Sequence, residues 1–402
     1  MSVLLPTRNR ARLLRQALRS VQRQTLRDLE ILVLDDGSED ETPAFLAAAA
    51  RADARIRVSR SDAPGGLPAA LNRLLEAATG EWVACMHDDD LCLPARLTAQ
   101  LAFASEHRLD VCGSWYRRFG WLPGGVGRPP ERDEAIKAGL LFQPPILHPS
   151  VLMRRATLVD AGGYSTAYPL AEDYELWTRL AARGARFGNV PRVLLRYRVS
   201  RHQASRRFNA EQERYARQIR ARYLAACGIP AEPAQVDLHV RVREPIPIRS
   251  LDELRAFEAW LLTLREHFRD VPVAADVVAR QWLFVGCRAA GLGMSCWRVL
   301  RGVCARGGDV RAQGRRAVRA VCRSGGIPVG AVPTARTVRA GVSGTALAIR
   351  AAVPTGSGAS VIHRALQDAI SGYSLATYPP RWEYWPLLLR RLREPAADLV
   401  HA

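Results

Sequence analysis

The first 205 residues alternate short apolar runs with amphipathic helical patterns, and this alternation limits the fold more than any other property of the chain. Val3 to Pro6, Glu30 to Leu34, Ile56 to Ser59 and Trp82 to Met86 read as strands. Between them, Arg12 to Gln24 places Leu13, Leu14, Ala17, Leu18 and Val21 on one helical face, and Leu67 to Ala78 reads as a helix stopped by Gly80. Strand, helix, strand, helix at this spacing argues for a parallel sheet covered by helices on both faces. Ligands of such sheets bind beyond the carboxyl ends of the strands. Two acidic clusters, Asp35-Asp36 and Asp88-Asp89-Asp90, stand at those ends.

Further strands are expected at Val111 to Tyr116, Pro149 to Met153 and Arg186 to Tyr197, with helices at Thr157 to Ala161 and Glu172 to Arg183. The pattern changes after residue 205. Residues 1–205 read as a catalytic domain and 206–323 as a mainly helical region. A Gly/Pro-rich, linker-like segment follows at 324–360, and 361–402 form an amphipathic tail in which Trp382, Tyr384 and Trp385 precede Arg390, Arg391 and Arg393.

The formal net charge is +19 and Lys137 is the only lysine. Most of the excess falls after residue 205, and between Arg298 and Arg350 the arginines meet one acid, Asp309. Such a surface suits anionic lipid headgroups or acidic polysaccharide. No RNA-binding or zinc-finger pattern accompanies it, so no nucleic-acid partner is expected. The eight cysteines form no CxxC pair and read as reduced thiols of a cytoplasmic protein. The N-terminus becomes charged too early for a signal peptide, and no apolar run is long enough to span a bilayer. The expected location is the cytoplasm, with peripheral contact on the inner face of the membrane.

Three acidic clusters carry the chemistry. Adjacent carboxylates repel, so Asp88-Asp89-Asp90 points to a hard divalent cation that also holds a diphosphate, although three acids also suit a solvated turn. Asp35-Asp36-Gly37-Ser38 offers acceptors for a base or ribose, and the same residues favour a β-turn. Glu172-Asp173 precedes a helix, where acids favour the macrodipole and one carboxylate can equally act as a general base.

In order along the chain, these clusters resemble the inverting family 2 glycosyltransferases with the A-type, Rossmann-like nucleotide-sugar fold. The matching elements are Val3 to Asn9, Ser20 to Thr25, Glu30 to Thr42, Gly66 to Asn72, Met86 to Pro94 with Arg96-Leu97, His148-Pro149-Ser150-Val151, Gly162-Gly163-Tyr164 and Glu172-Asp173 with Leu176-Trp177. The resemblance implies an α/β fold with a Rossmann-like, mostly parallel sheet, followed by a mainly helical C-terminal region. It implies transfer of a sugar, of the hexosyl type, from a nucleoside-diphosphate sugar to a hydroxyl of a glycan or lipid-linked acceptor, in bacterial surface polysaccharide synthesis. Pro6, Thr7, Arg8, Asn9, Asp36, Asn72 and Asp88 would bind the nucleotide sugar. Asp89 would hold the metal, Mn2+ or Mg2+. Asp173 would be the catalytic base, with His148 and Glu172 on the acceptor side. Asp90 would cap the turn toward Pro94.

The chain departs from the family pattern twice. His87 stands where the first Asp of the metal region is usual, and Ser200 stands where a His is usual, with His202 two residues on. Rival readings are a nucleotidyltransferase that forms nucleotide sugars and an inactive sugar-nucleotide-binding module. The glycine-free stretch from Pro6 to Arg12 counts against the first, and His87 favours the second. No GxGxxG follows a strand, which counts against a dinucleotide oxidoreductase.

Overall fold

A computed structural model describes residues 1–121, 124–200, 209–244 and 246–289. The linker-like segment, the aromatic and basic tail, and His202 lie outside these residues. Two compact units divide the described chain. The first contains Met1–Arg243 and Thr263–Val278; the second contains Glu244–Leu262 and residues from Ala279 onward.

The first unit is built on one mixed sheet. Its strands are β1 (Ser2–Thr7), β2 (Glu30–Asp35), β3 (Ile56–Arg60), β4 (Trp82–Cys85), β5 (Leu91–Cys92), β6 (Val111–Gly120), β7 (Val126–Gly127), β8 (Leu152–Arg154) and β9 (Phe187–Val199). They lie in the order β3-β2-β1-β4-β8-β6-β9-β5, and β7 pairs with β6. The β3-β2-β1-β4 half is parallel, as the alternation of strand and helix requires. The other half is mixed: β8 runs antiparallel to β4 and β6, while β6 and β9 run parallel.

All six residues of β1 are buried, which explains its unbroken apolar run: a central parallel strand has no solvent face. Helices α1 (Ala11–Gln22), α2 (Thr42–Ala52) and α3 (Leu67–Ala77) return the chain between the parallel strands. Leu14, Ala17, Leu18 and Val21 of α1 pack with Val3, Leu5, Ile31, Val33 and Leu46 in the core. Burying each such leucine contributes roughly 1.5–3 kcal/mol. Prolines sit in the first turns of α2 and α3, where the missing N–H would have had no helical partner.

Helix α4 (Arg96–Glu106) begins two residues after Pro94, because Leu91 and Cys92 first pair with β9. The stretch expected to extend from Pro149 instead opens as a single 3-10 turn, His148–Ser150, before β8. Pro191 falls in β9 where the register against β6 jumps from Ser114↔Val190 to Trp115↔Val193. A residue without an N–H is tolerated in a strand at such an irregularity.

Helices α5 (Asp133–Leu140), α6 (Arg155–Asp160) and α7 (Glu172–Ala182) follow on the mixed half, then α8 (Asn209–Ala226) and α9 (Pro233–Arg241). Arg220 of α8 is buried; it donates to Phe142 O at 3.0 Å, Val240 O at 2.9 Å and Glu213 Oε1 at 2.7 Å. Helices α10 (Leu251–His267) and α11 (Pro272–Arg288) complete the described chain. Within the second unit, Arg288 donates through Nε to Ile246 O at 2.7 Å. Among the described residues, no helix is long and apolar enough to cross a membrane.

Candidate functional site

The chain leaves β1 on one side to form β2 and β3, then returns on its other side as β4. Loops after β1 and β4 therefore part in opposite directions, and a crevice opens at their carboxyl ends. Thr7 and Asp88 meet there: Thr7 Oγ1 donates to Asp88 Oδ2 at 2.8 Å, across 81 residues of sequence. Pro6 and Thr7 are buried, whereas Arg8 and Asn9 are exposed. Asn9 adopts φ 52°, a left-handed conformation that asparagine tolerates better than most residues. Its N–H donates to Ser38 Oγ and its Oδ1 accepts from Glu39 N, which ties the loop after β1 to the loop after β2.

Asp36 closes that second loop. Its carboxylate accepts from the amides of Gly65 at 2.8 Å and Gly66 at 3.0 Å. Gly66 has φ +80°, which glycine adopts without steric cost. Neighbouring Asp35 turns inward, accepting from Ser38 N and pairing with Arg60 at 3.4 Å.

The acidic triple after β4 divides into three roles. Asp88 accepts from Thr7 and from Arg10 Nη1 at 3.0 Å. Asp89 is half-buried and receives the same guanidinium group at 3.3 Å. Asp90 is 0% exposed; Oδ1 accepts from Arg198 N at 2.7 Å, and Oδ2 has no hydrogen-bond partner. Asp90 thus anchors the end of β9 rather than capping the turn toward Pro94, because β9 passes directly alongside. Arg198 also donates through Nε to Asp89 O at 2.7 Å. Burial pushes all three carboxyls above their ordinary range, Asp90 furthest, with the charge on Asp89 adding to the effect.

A second chain of contacts runs inward from His87. Its Nε2 lies 2.9 Å from His148 Nδ1, His148 Nε2 lies 3.0 Å from Tyr164 Oη, and Tyr164 Oη lies 3.1 Å from Cys85 Sγ. Burial pushes His87 down to about 4 and His148 well below its usual value, so both rings are neutral near pH 7. Asn72 holds this chain from α3: its side-chain amide pairs in both directions with the backbone of Tyr164, each bond 2.8 Å. Its polar ends are therefore engaged with the Gly163-Tyr164 loop. A Cβ at Gly163, where φ is +66°, would come within 2.6 Å of Asn72 Oδ1.

Glu172 and Asp173 open α7. Glu172 is buried and its Oε2 has no hydrogen-bond partner. Burial, with Asp173 beside it, pushes Glu172 well above the usual carboxylate range. Burial raises Asp173 to about 6, and the hydrogen bond from Tyr174 N at 2.7 Å opposes that rise. Both carboxyls act electrostatically on Tyr164, and the ring of Trp177 lies 6.1 Å from that of His148. The acids of α7 and the His87–His148–Tyr164 chain therefore share one neighbourhood. Arg179 secures α7 to the same loop: it pairs with Glu175 at 2.9 Å and donates to Gly163 O at 2.7 Å.

The residues present fit a divalent metal. One ligand atom each from His87, Asp89 and Asp90 lies within 4.8 Å of the others. Opposite ligands of a hard divalent cation stand about 4–5 Å apart, so the group spans one coordination sphere. A cation would also satisfy the orphaned Asp90 Oδ2 and offset the cost of three crowded carboxylates.

Arg10, Arg198 and Tyr164 were not among the residues expected at this site. Arg10 lies one residue beyond the expected nucleotide loop. Tyr164 belongs to the Gly162-Gly163-Tyr164 element and Arg198 stands two residues before Ser200, but neither was given a role at the site, because their contacts with His148 and Asp89 form only in three dimensions.

Residues 2–143 match the model of glycosyl transferase family 2. An uncharacterized glycosyltransferase of Haemophilus influenzae is 28% identical over 250 residues, spanning 57% of this chain and 75% of that protein. The UDP-Gal:alpha-D-GlcNAc-diphosphoundecaprenol beta-1,3-galactosyltransferase of Escherichia coli is 28% identical over 198 residues, 48% of this chain and 71% of that one. The amylovoran biosynthesis glycosyltransferase AmsE of Erwinia amylovora is 29% identical over 196 residues, 48% and 73% of the two chains. A parallel half-sheet with acids at its strand ends lies within the stretch that resembles glycosyl transferase family 2, and relatives similar beyond that stretch are glycosyltransferases, so the chain reads as a glycosyltransferase similar to family 2.

Proposed function

We propose that this enzyme inverts the anomeric carbon of a nucleoside-diphosphate sugar as it transfers the sugar to a hydroxyl of a glycan or lipid-linked acceptor. The reading extends to bacterial surface polysaccharide synthesis, as the names of the Erwinia and Escherichia relatives suggest. The observation that carries it is Asp173. This carboxyl is raised to about 6 at the start of α7 and acts on Tyr164, whose hydrogen-bond chain through His148 leads to His87, next to Asp88. At pH 7 it is mostly ionised yet basic enough to take a proton, which suits a general base.

In this reading Asp36, Thr7 and the loop through Arg8 and Asn9 hold the nucleotide. Arg10 and Asp88 orient the diphosphate end, and Asn72 fixes the loop that carries Tyr164. Asp89 and Asp90, with His87 beside them, would hold Mn2+ or Mg2+, and the bound cation supplies neutralisation of charge on the departing diphosphate. Asp173 removes the proton of the acceptor hydroxyl as its oxygen attacks the anomeric carbon from the face opposite the leaving group. One displacement inverts that carbon, with no enzyme nucleophile. Glu172, protonated, donates a hydrogen bond on the acceptor side, and His148 supports the same side through Tyr164.

The test is a panel of UDP- and GDP-sugars incubated with Mn2+, with nucleoside-diphosphate release measured and the released sugar followed by NMR before mutarotation. An α-linked donor should yield the β-sugar first. Release of the α-sugar would exclude a single displacement, and no release with any donor would favour the inactive binding module.

A further inference from the structure

We propose that His87 is a nitrogen ligand of the divalent cation, so that the metal site is mixed imidazole and carboxylate rather than all-oxygen. The inference rests on the reading that a metal binds beside Asp89. Three observations carry it. A ring nitrogen of His87 and oxygens of Asp89 and Asp90 lie within 4.8 Å of one another. Asp90 Oδ2, in a residue 0% exposed, has no hydrogen-bond partner. His148 engages one ring nitrogen of His87 at 2.9 Å and is itself held by Tyr164 at 3.0 Å.

The third observation distinguishes a ligand from an ordinary strand-end histidine. A ligating imidazole almost always has its other nitrogen in a hydrogen bond that sets the tautomer and ring orientation. His148 provides that bond from a buried position, and Tyr164, fixed by Asn72, holds His148. His148 is thus a positioning residue acting through His87. Arg10 reaches Asp89 through Oδ2 only, which leaves the other carboxylate oxygen for the cation.

Ligand chemistry then sets the preference. Mg2+ takes oxygen ligands and keeps its waters, whereas imidazole favours transition metals. The site should select Mn2+ or Co2+ over Mg2+.

The experiment uses the full chain with Mn2+ alone, then with Mn2+ and UDP or GDP. Pulsed EPR reads directly coordinated 14N, and calorimetry gives the Mn2+ and Mg2+ affinities. The expected spectrum of the unaltered protein shows 14N coupling. In His87→Asp, Mn2+ still binds, the coupling disappears, and the preference for Mn2+ over Mg2+ falls about tenfold or more. In His148→Gln the coupling persists while Mn2+ affinity drops about tenfold. Bound Mn2+ without 14N coupling, or coupling that survives His87→Asp, overturns the inference while the metal-dependent transferase stands. Absence of bound Mn2+ under both conditions overturns the inference together with the metal site. Nucleoside-diphosphate release without added metal would then show that the transferase reading survives both.

Discussion

Asp173 occupies the first turn of α7, where the helix N-terminus favours a negative charge, yet burial outweighs that field and raises its carboxyl to about 6. Below that value the carboxyl holds its proton and cannot accept another. The rate of nucleoside-diphosphate release should therefore fall as pH drops through about 6, approaching tenfold per unit, in a profile recorded at subsaturating donor. Glu172 beside it is raised well above the usual carboxylate range and holds its proton, so the neutral substitution Glu172→Gln should leave the midpoint close to that of the unaltered enzyme. Asn72 makes a structural prediction at the same scale. Asn72→Ala removes both bonds to Tyr164 and should cost about 2 kcal/mol by urea denaturation. Gly163→Ala meets the same amide while forcing a side chain into positive φ and should cost about 1–3 kcal/mol.

Elements bring these residues together in two ways, and only one is visible in the amino-acid order. Asp36 and Asp88 follow strands whose apolar runs are continuous, so their place at strand ends can be inferred locally. Asp173 follows from a helix start in the same manner. The pairing of His87 with His148, 61 residues apart, and of Arg198 with Asp89, 109 apart, depends on where β8 and β9 insert beside β4 and β6. Antiparallel insertion leaves no periodic signature in the chain, and the two-residue strands β5 and β7 are too short to register one. Asn72 was legible as a motif, but its bonding to Tyr164 was not, since the loop at Gly162 and Gly163 reaches α3 only in three dimensions. Helix α8 adds a prediction at this scale. Arg220 donates to two carbonyls inside the first unit, so Arg220→Met should lower stability by about 3 kcal/mol by leaving them without donors. Equilibrium unfolding checks this; an unchanged midpoint would mean that water replaces the guanidinium group.

The residues of the candidate site lie in the first unit, while most of the +19 charge lies after residue 205. Contact with an anionic leaflet follows from that charge if the acceptor is lipid-linked. The full chain should sediment with vesicles containing phosphatidylglycerol and not with phosphatidylcholine alone, and binding should weaken steeply as salt rises. Equal sedimentation with both lipids would remove the electrostatic account. In the proposed reaction, Asp173 would take the acceptor proton while other residues would bind the donor. The most direct measurement compares Asp173→Asn with the unaltered enzyme, using calorimetry for donor binding and nucleoside-diphosphate release for turnover. Donor affinity should stay within about threefold while turnover falls about 10²–10⁴-fold, the range a positioned general base supplies. Turnover that survives the substitution with donor binding intact would contradict the assignment.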